Sequence, residues 1–303
     1  MPLVDARCTN CGHPLQVNTN HTEAKCPACD SLFLVQDAIN LYNVTVQYIQ
    51  QQNDFVIHAG VLTKYNGASV DVVIPDGVVE IGSAFVNLNR IRSITIPKSV
   101  RYIGDRAFSG CEGLSNIAVP ASITSIGNYA FHNCKSLAGD IALPSGIEHI
   151  GRYAFSGCSR ITGVVIPNNV KTIGEYAFAD CAGITSAYIP YGVQEIESYA
   201  FSGCSSLAAA DIPDSVIRLG DYAFMNCVSL TRTNIPVTTQ SVGRGIFYGC
   251  TGITSVMLPY EMSYSPNHIF SGCNGLNFRT KYYVCRFGRV GLTFMGLLSG
   301  LEV

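Results

Sequence analysis

The sequence has little charge, and its few charges are spread along the chain. Lysine, arginine, aspartate and glutamate make up 13% of its 303 residues, and the formal net charge is −2. It has no basic run of the kind that displaces counterions from nucleic-acid phosphates. General nucleic-acid binding is therefore excluded as the expected function. A hydrophobic fraction of 48% excludes a disordered chain, because it is ample for a buried core.

Long apolar runs are also missing. The most apolar stretch, residues 290–303, is shorter than the roughly 20 residues that a membrane-spanning helix needs. Cys8 occurs before the apolar core of a signal peptide would fit. We therefore expect a cytoplasmic location, with export to the cell surface by a non-standard route as the alternative.

The chain is instead dominated by a repeat of about 23 residues. Nine prolines mark it, and a phenylalanine and then a cysteine follow most of them in a constant register. The prolines are Pro75, Pro97, Pro120, Pro144, Pro167, Pro190, Pro213, Pro236 and Pro259. The cysteines are Cys111, Cys134, Cys158, Cys181, Cys204, Cys227, Cys250 and Cys273, and Leu88 takes their place in the first repeat.

Each repeat has the pattern of one coil of a solenoid with three walls. Ile161, Val164 and Ile166 predict a short strand that ends at Pro167, since proline donates no hydrogen bond to a ladder. Two apolar residues and a glycine then predict a second wall and a corner, and the following xAFxxC segment predicts a single helical turn. Stacked coils share one continuous core, and residues 55–75 and the apolar tail are expected to cap its ends.

The unit IPxxVxxIGxxAFxxCxxL resembles the BspA-type leucine-rich repeat over about residues 55–281. This resemblance implies a leucine-rich-repeat solenoid that binds other macromolecules, and members of the family are often surface or adhesion proteins. The predicted domains are a ribbon at 1–36, a linker at 37–54, the solenoid at 55–281 and a carboxyl-terminal cap at 282–303. The linker sequence fits both helical and strand spacing, so its conformation stays open.

Two CxxC pairs near the start of the chain predict a metal site. Cys8, Cys11, Cys26 and Cys29 are spaced so that four thiolates can converge on one tetrahedral ion, as in a zinc ribbon. LQVN and SLFLV are the expected strands of this ribbon. Structural zinc is the favoured interpretation, and a rubredoxin-like iron site or no metal are the alternatives. Four thiolates fill the zinc sphere, so His13 and His21 are not expected to be ligands.

The repeat cysteines are interpreted as a buried, inert thiol column, because Leu88 replaces one of them. IGNYAFHNC, residues 126–134, pairs His132 with Cys134 by accident of register, and we expect His132 to face water. Cys285 lies outside the repeat register, and of all the cysteines it is the one most expected to differ from this column. Five tyrosines two positions before the repeat phenylalanine form either a binding stripe or a stacked ladder: Tyr129, Tyr153, Tyr176, Tyr199 and Tyr222.

The candidate partner surface comes from the variable residues four and two positions before each proline. Val165, Tyr188, Asp211 and Arg232 combine apolar, aromatic and charged character, which is typical of a modest protein contact. A solvated sheet face is the alternative. The sequence has no Ser/His/Asp set, P-loop or dinucleotide fingerprint. The predicted function is thus that of a non-catalytic protein-interaction scaffold. The alternative is a surface adhesion or envelope-associated structural protein, and the third possibility is a thiol- or zinc-dependent enzyme.

Overall fold

The computed structural model describes residues 3–19, 22–40, 54–259, 269–276 and 283–285. The chain divides into two compact units, Met1–Val56 with Tyr65–Gly67 and Ile57–Lys64 with Ala68–Val303. Residues 41–53 of the predicted linker lie outside the described residues, as do His21 and all of the predicted carboxyl-terminal cap except 283–285. Among the described residues, no helix is long and apolar enough to cross a membrane.

The ribbon, at the start of the first unit, consists of two short antiparallel hairpins and one helix. Its core is small and contains Val17 and Phe33 together with two of the predicted metal ligands, Cys8 and Cys26. Strands at both predicted segments, LQVN and SLFLV, are confirmed. The elements are β1 (Leu3–Arg7), β2 (Pro14–Asn18), β3 (Glu23–Lys25), β4 (Leu32–Leu34) and helix α1 (35–40).

One wall of the solenoid is a continuous ten-stranded sheet. Its pairing is parallel from β6 to β22. From β6 to β20, the buried isoleucine or leucine of each strand lies beside that of the next coil, as Ile103 does beside Ile126, and Leu219 of β20 lies beside the half-buried Val242 of β22. The second wall predicted from the repeat is therefore confirmed. Its strands are β5 (Phe55–His58), β6 (Val61–Tyr65), β8 (Glu80–Ile81), β10 (Tyr102–Ile103), β12 (Ser125–Ile126), β14 (His149–Ile150), β16 (Thr172–Ile173), β18 (Glu195–Ile196), β20 (Arg218–Leu219) and β22 (Ser241–Val242).

The wall that precedes each proline is also parallel but is divided into three sheets. Along β15, Val164 is buried and Val165 is exposed, so the predicted alternation is confirmed. The three groups are β7 (Asp71–Val73), β9 (Ser93–Thr95) and β11 (Asn116–Ala118); β13 (Ala138–Ala142), β15 (Arg160–Val165) and β17 (Ser186–Tyr188); and β19 (Ala209–Ala210), β21 (Arg232–Asn234), β23 (Ser255–Pro259) and β24 (Tyr283–Cys285).

The xAFxxC segment is not a helical turn, and that detail of the prediction is wrong. Tyr129 and Asn133 flank Phe131 with φ values of 58° and 57°, and such left-handed residues interrupt a helix. The amides of Tyr129, Phe131 and Asn133 instead donate to carbonyl oxygens of the next coil at 2.7–2.8 Å. These bonds between coils alternate with bonds inside the turn, from the amides of His132 and Cys134 to the residues three positions earlier at 3.1 Å. The third wall is therefore built of stacked turns.

A stack of phenylalanines fills the space between the walls. Neighbouring ring centroids are 5.0 to 5.6 Å apart from Phe85 to Phe270, and the rings from Phe85 to Phe247 are buried. Each coil covers the apolar edge of the previous coil, because a single coil cannot bury its own apolar edge. The leucine-rich-repeat solenoid predicted from the repeat is confirmed, with eight two-residue strands from β8 to β22 marking successive coils.

Candidate functional site

The four ribbon cysteines lie in two equivalent backbone turns. In the first, the amide of Cys8 donates to His13 and the amide of Gly12 donates back to Cys8, at 3.0 and 2.9 Å. In the second, Cys26 and residues 30–31 make the same two bonds, each at 2.9 Å. Gly12 and residue 30 both adopt positive φ, 72° and 64°, which reverses the chain directly after the second cysteine of each pair.

These turns bring the four sulfur atoms together. All four lie within 4.8 Å of one another, with Cys8 and Cys29 Sγ atoms 3.6 Å apart and those of Cys11 and Cys26 3.8 Å apart. Ligands about 2.3 Å from a tetrahedral zinc ion are about 3.8 Å from each other, so the cluster has the size of a zinc site. The amide of Ala28 points at Cys26 Sγ from 3.4 Å, as expected beside a thiolate ligand.

The surroundings of the cluster favour thiolates at two positions. The hydroxyl and the amide of Ser31 lower the pKa of Cys29 to about 6, and the amide of Cys11 lowers the pKa of Cys8. The amide of His13 also favours the thiolate of Cys11, but the neighbouring Cys29 thiol and burial raise the pKa of Cys11 to about 12. Four thiolates this close repel one another, and a divalent cation would remove that repulsion. His13 is exposed, and the group of sulfur atoms that could hold a metal consists of the four cysteines.

The eight repeat cysteines have a different environment, deep in the solenoid core. All eight are buried, and each thiol donates to the carbonyl oxygen of the phenylalanine in the preceding coil at 2.8 to 3.2 Å. Burial raises the pKa of Cys181 to about 12. Leu88 belongs to the first repeat, where no earlier repeat phenylalanine is available to such a thiol. The interpretation as an inert column is supported, and Cys134 bonds to Phe108 and not to His132.

The tyrosines form a stacked ladder. Ring centroids from Tyr129 to Tyr222 are 4.4 to 5.2 Å apart, with interplanar angles of 3 to 21°. His132 is half-buried and faces water less than expected: its ring packs edge-on against Tyr129 and Tyr153, and burial lowers its pKa. The variable position after Phe131 lies against the ladder, so a ring placed there packs on the tyrosines.

Three of the four predicted partner residues lie in one column of the divided wall. Val165 and Tyr188 are direct neighbours in β15 and β17, and Asp211 follows β19 at the equivalent position of the next coil. Arg232 of β21 reaches diagonally to Asp211, with 3.3 Å between Nη2 and Oδ2. Val165 is 55% exposed and Tyr188 is 66% exposed. The structure thus brings the predicted residues together on one surface.

Two residues of this surface were not predicted from the sequence. Tyr191 and Asp214 line one groove with Tyr188, Asp211 and Arg232, and the groove has a volume of about 640 Å³. Both follow their proline directly, whereas the predicted surface was restricted to positions before the proline. The signal was present in the sequence as YIPY at 188–191 followed one repeat later by DIPD at 211–214. We call the surface formed by these five residues the YIPY/DIPD groove.

Comparison with solved structures identifies similar solenoids. The leucine-rich-repeat protein of T. pallidum is 34% identical, covers 58% of this chain and 86% of its own length, and has a TM-score of 0.52. The pneumococcal vaccine antigen PcpA is 17% identical with a TM-score of 0.52, and the alignment covers 74% of this chain and 58% of PcpA. At 17% identity, the similarity to PcpA shows a shared fold and nothing more. Comparison with curated proteins found no match.

A family profile matches most of the chain. The BspA type leucine-rich-repeat region matches residues 65–185 and 171–284, with six copies, and the four-cysteine ribbon lies outside these ranges. The matched residues are those whose strands, turns and phenylalanine stack build the solenoid. Proteins of this kind are protein-interaction or adhesion scaffolds and are typically not enzymes. The chain belongs to the BspA-type leucine-rich-repeat family.

Proposed function

We propose that this protein is a non-catalytic interaction scaffold whose YIPY/DIPD groove holds a protein partner and whose ribbon is folded around a structural zinc ion. The observation that carries the proposal is the exposure of Val165, Tyr188 and Tyr191, at 55, 66 and 70%, beside the ion pair of Asp211 and Arg232. Aromatic side chains and arginine are enriched among the residues that dominate protein interfaces. Exposed apolar side chains that lie next to one another, as Val165 and Tyr188 do, mark interaction sites on protein surfaces.

The thiol chemistry supports a scaffold over an enzyme. A catalytic thiol must be accessible and ionised, whereas the repeat thiols are buried and their pKa values are raised, as at Cys181 and Cys204. In the ribbon, four cysteine ligands would complete a tetrahedral zinc sphere and leave no position for a substrate. The metal would then supply folding free energy to a unit with a small apolar core.

The proposed location is the cytoplasm. Twelve cysteines of the described residues are free thiols. The sulfur atoms of the ribbon are close enough that an oxidising compartment would favour disulfides over metal binding, whereas a reducing compartment preserves all four ligands. Cell fractionation with an antibody to the chain tests this proposal. Recovery in the envelope or outer-surface fraction would favour an adhesion scaffold instead.

The partner surface is tested by a pair of matched double variants. Val165→Ala with Tyr188→Ala removes one aromatic residue of the groove together with its exposed neighbour in β15. Val79→Ala with Tyr102→Ala removes the same two residue types at the ten-stranded wall, where Val79 directly precedes β8 and Tyr102 lies in β10. Val79 is 43% and Tyr102 is 47% exposed. Full-length protein carrying each double substitution is used as bait in the native cell, and co-purified proteins are quantified by mass spectrometry.

The groove variant is expected to lose at least about tenfold of its specific partner, because one contact residue at an interface centre contributes about 2 kcal/mol or more. The ten-stranded wall variant is expected to retain partner capture. Both variants should unfold at the same denaturant concentration as the unsubstituted protein, since all four positions are exposed. Equal capture by the two variants would contradict the placement of the partner at the groove.

A further inference from the structure

Two consecutive coils present different chemistry at equivalent positions of the groove. Tyr188 and Tyr191 stand two residues before and one residue after Pro190, and Asp211 and Asp214 stand at the same places around Pro213. Equivalent positions in adjacent coils are separated by about the inter-strand spacing of 4.8 Å. A pair of aromatic rings therefore lies next to a pair of carboxylates, and all four line the same groove.

The rings and carboxylates are open to a ligand. Tyr188 is 66% exposed and Tyr191 is 70% exposed, so their faces are not covered by the core. This distinguishes them from the tyrosine ladder, in which successive rings stack on each other. An exposed aromatic face carries partial negative charge from its π electrons and attracts a cation.

The charge of the groove is also negative on balance. Asp211 is paired with Arg232, but both side chains are well exposed, at 76% and 65%, so the pair is weak. Asp214 is exposed and takes part in no ion pair within the described part of the chain. The groove therefore has one carboxylate more than its single guanidinium neutralises.

We propose that the YIPY/DIPD groove recognises an arginine side chain in a basic segment of the partner protein. The inference rests on the proposed function and specifies the chemistry of its partner. The guanidinium stacks on Tyr188 or Tyr191 and pairs with the Asp214 carboxylate. Arginine fits better than lysine because its planar group stacks on a ring while its N–H groups bind a carboxylate with two parallel hydrogen bonds.

Substitution of Arg232, the arginine of the groove itself, distinguishes a cationic partner group from an acidic one. If the partner provides a cation, Arg232 competes with it for Asp211 and repels it, so removal of Arg232 strengthens binding. If the partner provides an acidic group, Arg232 is its natural contact, and removal of Arg232 weakens binding. The two chemistries thus predict opposite signs for the same substitution.

The probe is a short fluorescein-labelled glycine peptide that carries arginine, titrated with full-length protein and followed by fluorescence anisotropy. A second peptide carries citrulline, which keeps the shape of arginine and removes its charge. We expect the arginine peptide to bind at least about tenfold more tightly than the citrulline peptide, and its affinity to fall as salt screens the charges. Equal binding of the two peptides would overturn the inference.

Matched variants assign the binding to the groove. Asp214→Asn is expected to weaken binding of the arginine peptide about five- to tenfold, and Asp76→Asn to leave it unchanged. Asp76 is exposed and also follows its proline directly, but its coil has Val73 where the groove has Tyr188. Tyr188→Phe, which keeps the ring, is expected to stay within about twofold, whereas Tyr188→Ala loses about tenfold. Equal effects of Asp214→Asn and Asp76→Asn would overturn the inference.

The outcomes separate the inference from the function on which it rests. If Val165→Ala with Tyr188→Ala abolishes partner capture while Asp214→Asn leaves it intact, the groove binds its partner without a cation, and only the inference fails. If neither variant changes partner capture, the proposed partner surface itself fails. Stronger binding after Arg232→Ala supports the inference, and weaker binding contradicts it in favour of an acidic partner group.

Discussion

The two sets of cysteines in this chain have different environments. In the ribbon, four sulfur atoms lie within 4.8 Å of one another, and the pKa of Cys29 is lowered to about 6. In the solenoid, eight thiols follow the coils as a column, and burial raises the pKa of Cys181 to about 12. Spacing in the sequence distinguishes the two sets. Each ribbon pair has two residues between its cysteines and forms one tight turn, whereas the 23-residue repeat returns one cysteine per coil to the core.

The comparison indicates where each unit obtains its folding free energy. The ribbon core contains few apolar residues, two of which are the ligands Cys8 and Cys26. The solenoid has a continuous stack of buried phenylalanines, from Phe85 to Phe247, and its thiols only add packing and one weak hydrogen bond each. A ligand cysteine and a core cysteine should therefore respond very differently to the same substitution.

The largest effect is expected from loss of a ligand in the ribbon. Cys26→Ser, or removal of metal by a chelator, is expected to unfold residues 3–40, because metal binding contributes on the order of 10 kcal/mol to small zinc modules. Hydrogen exchange read by mass spectrometry measures protection across the whole chain. The ribbon amides should exchange freely after the substitution, while the strands of the solenoid keep their protection.

Cys181→Ser is the matched control for this prediction. The same chemical change in the solenoid column should leave the hydrogen-exchange protection of the ribbon amides unchanged. The zinc content should also stay at one zinc ion per chain, as measured by elemental analysis. Zinc below a tenth of an equivalent in the unsubstituted protein, or melting of the solenoid together with the ribbon, would contradict the proposed division of roles.

An intermediate effect is expected from removal of one thiol in the column. Cys181 is fully buried and donates to the carbonyl oxygen of Phe155 at 3.0 Å. Cys181→Ala leaves a small cavity and removes one of the two hydrogen bonds that the Phe155 carbonyl oxygen accepts, the other coming from the amide of Cys158. It should lower the free energy of unfolding of the solenoid by about 2 kcal/mol. Urea unfolding followed by far-ultraviolet circular dichroism measures this loss.

Asn169→Ala is a suitable comparison, since its exposed side chain bonds only to the carbonyl oxygen of Ser145. That substitution is expected to change the stability by less than about 0.5 kcal/mol. A loss at Cys181 no greater than the loss at Asn169 would mean that the thiol column contributes nothing to the core.

The repeat register and the convergence of the four ribbon cysteines could be predicted because each depends on spacing alone. Proline, phenylalanine and cysteine recur at fixed intervals, so the core positions Phe131 and Cys134 followed directly. The turn conformation around Tyr129 could not be predicted in this way. Its positive φ is stabilised by a hydrogen bond to Arg152 in the next coil, and no single repeat contains that information.

The candidate groove was only half predictable for a related reason. Tyr188 and Asp211 were identified from the residues before the proline, whereas Tyr191 and Asp214 were missed. Only the three-dimensional turn at the proline brings the residue after it back to the same surface. The half-burial of His132 was not predicted because the stacked rings of Tyr129 and Tyr153, against which it packs, come from two coils.

The smallest predicted effect concerns the pH dependence of the thiol column. The folded-state pKa of Cys181 is raised to about 12 from an ordinary value of 9.0, so the thiol stays protonated in the folded protein while it ionises in the unfolded chain. The stabilisation is complete below pH 9 and is lost as the pH rises from 9 towards 12. The destabilisation caused by Cys181→Ala should therefore be smaller by about 1.4 kcal/mol at pH 10 than at pH 8.

Urea unfolding at the two pH values measures this change, and Ile173→Val provides the control. Ile173 is fully buried in the same coil region and does not titrate, so its destabilisation of about 1 kcal/mol should be the same at pH 8 and pH 10. Because both variants share all other titrating groups with the unsubstituted protein, general alkaline destabilisation cancels from the comparison. A pH-independent effect of Cys181→Ala would mean that the thiol ionises as easily in the folded core as in the unfolded chain, and the contrast with the ribbon thiols would then be lost.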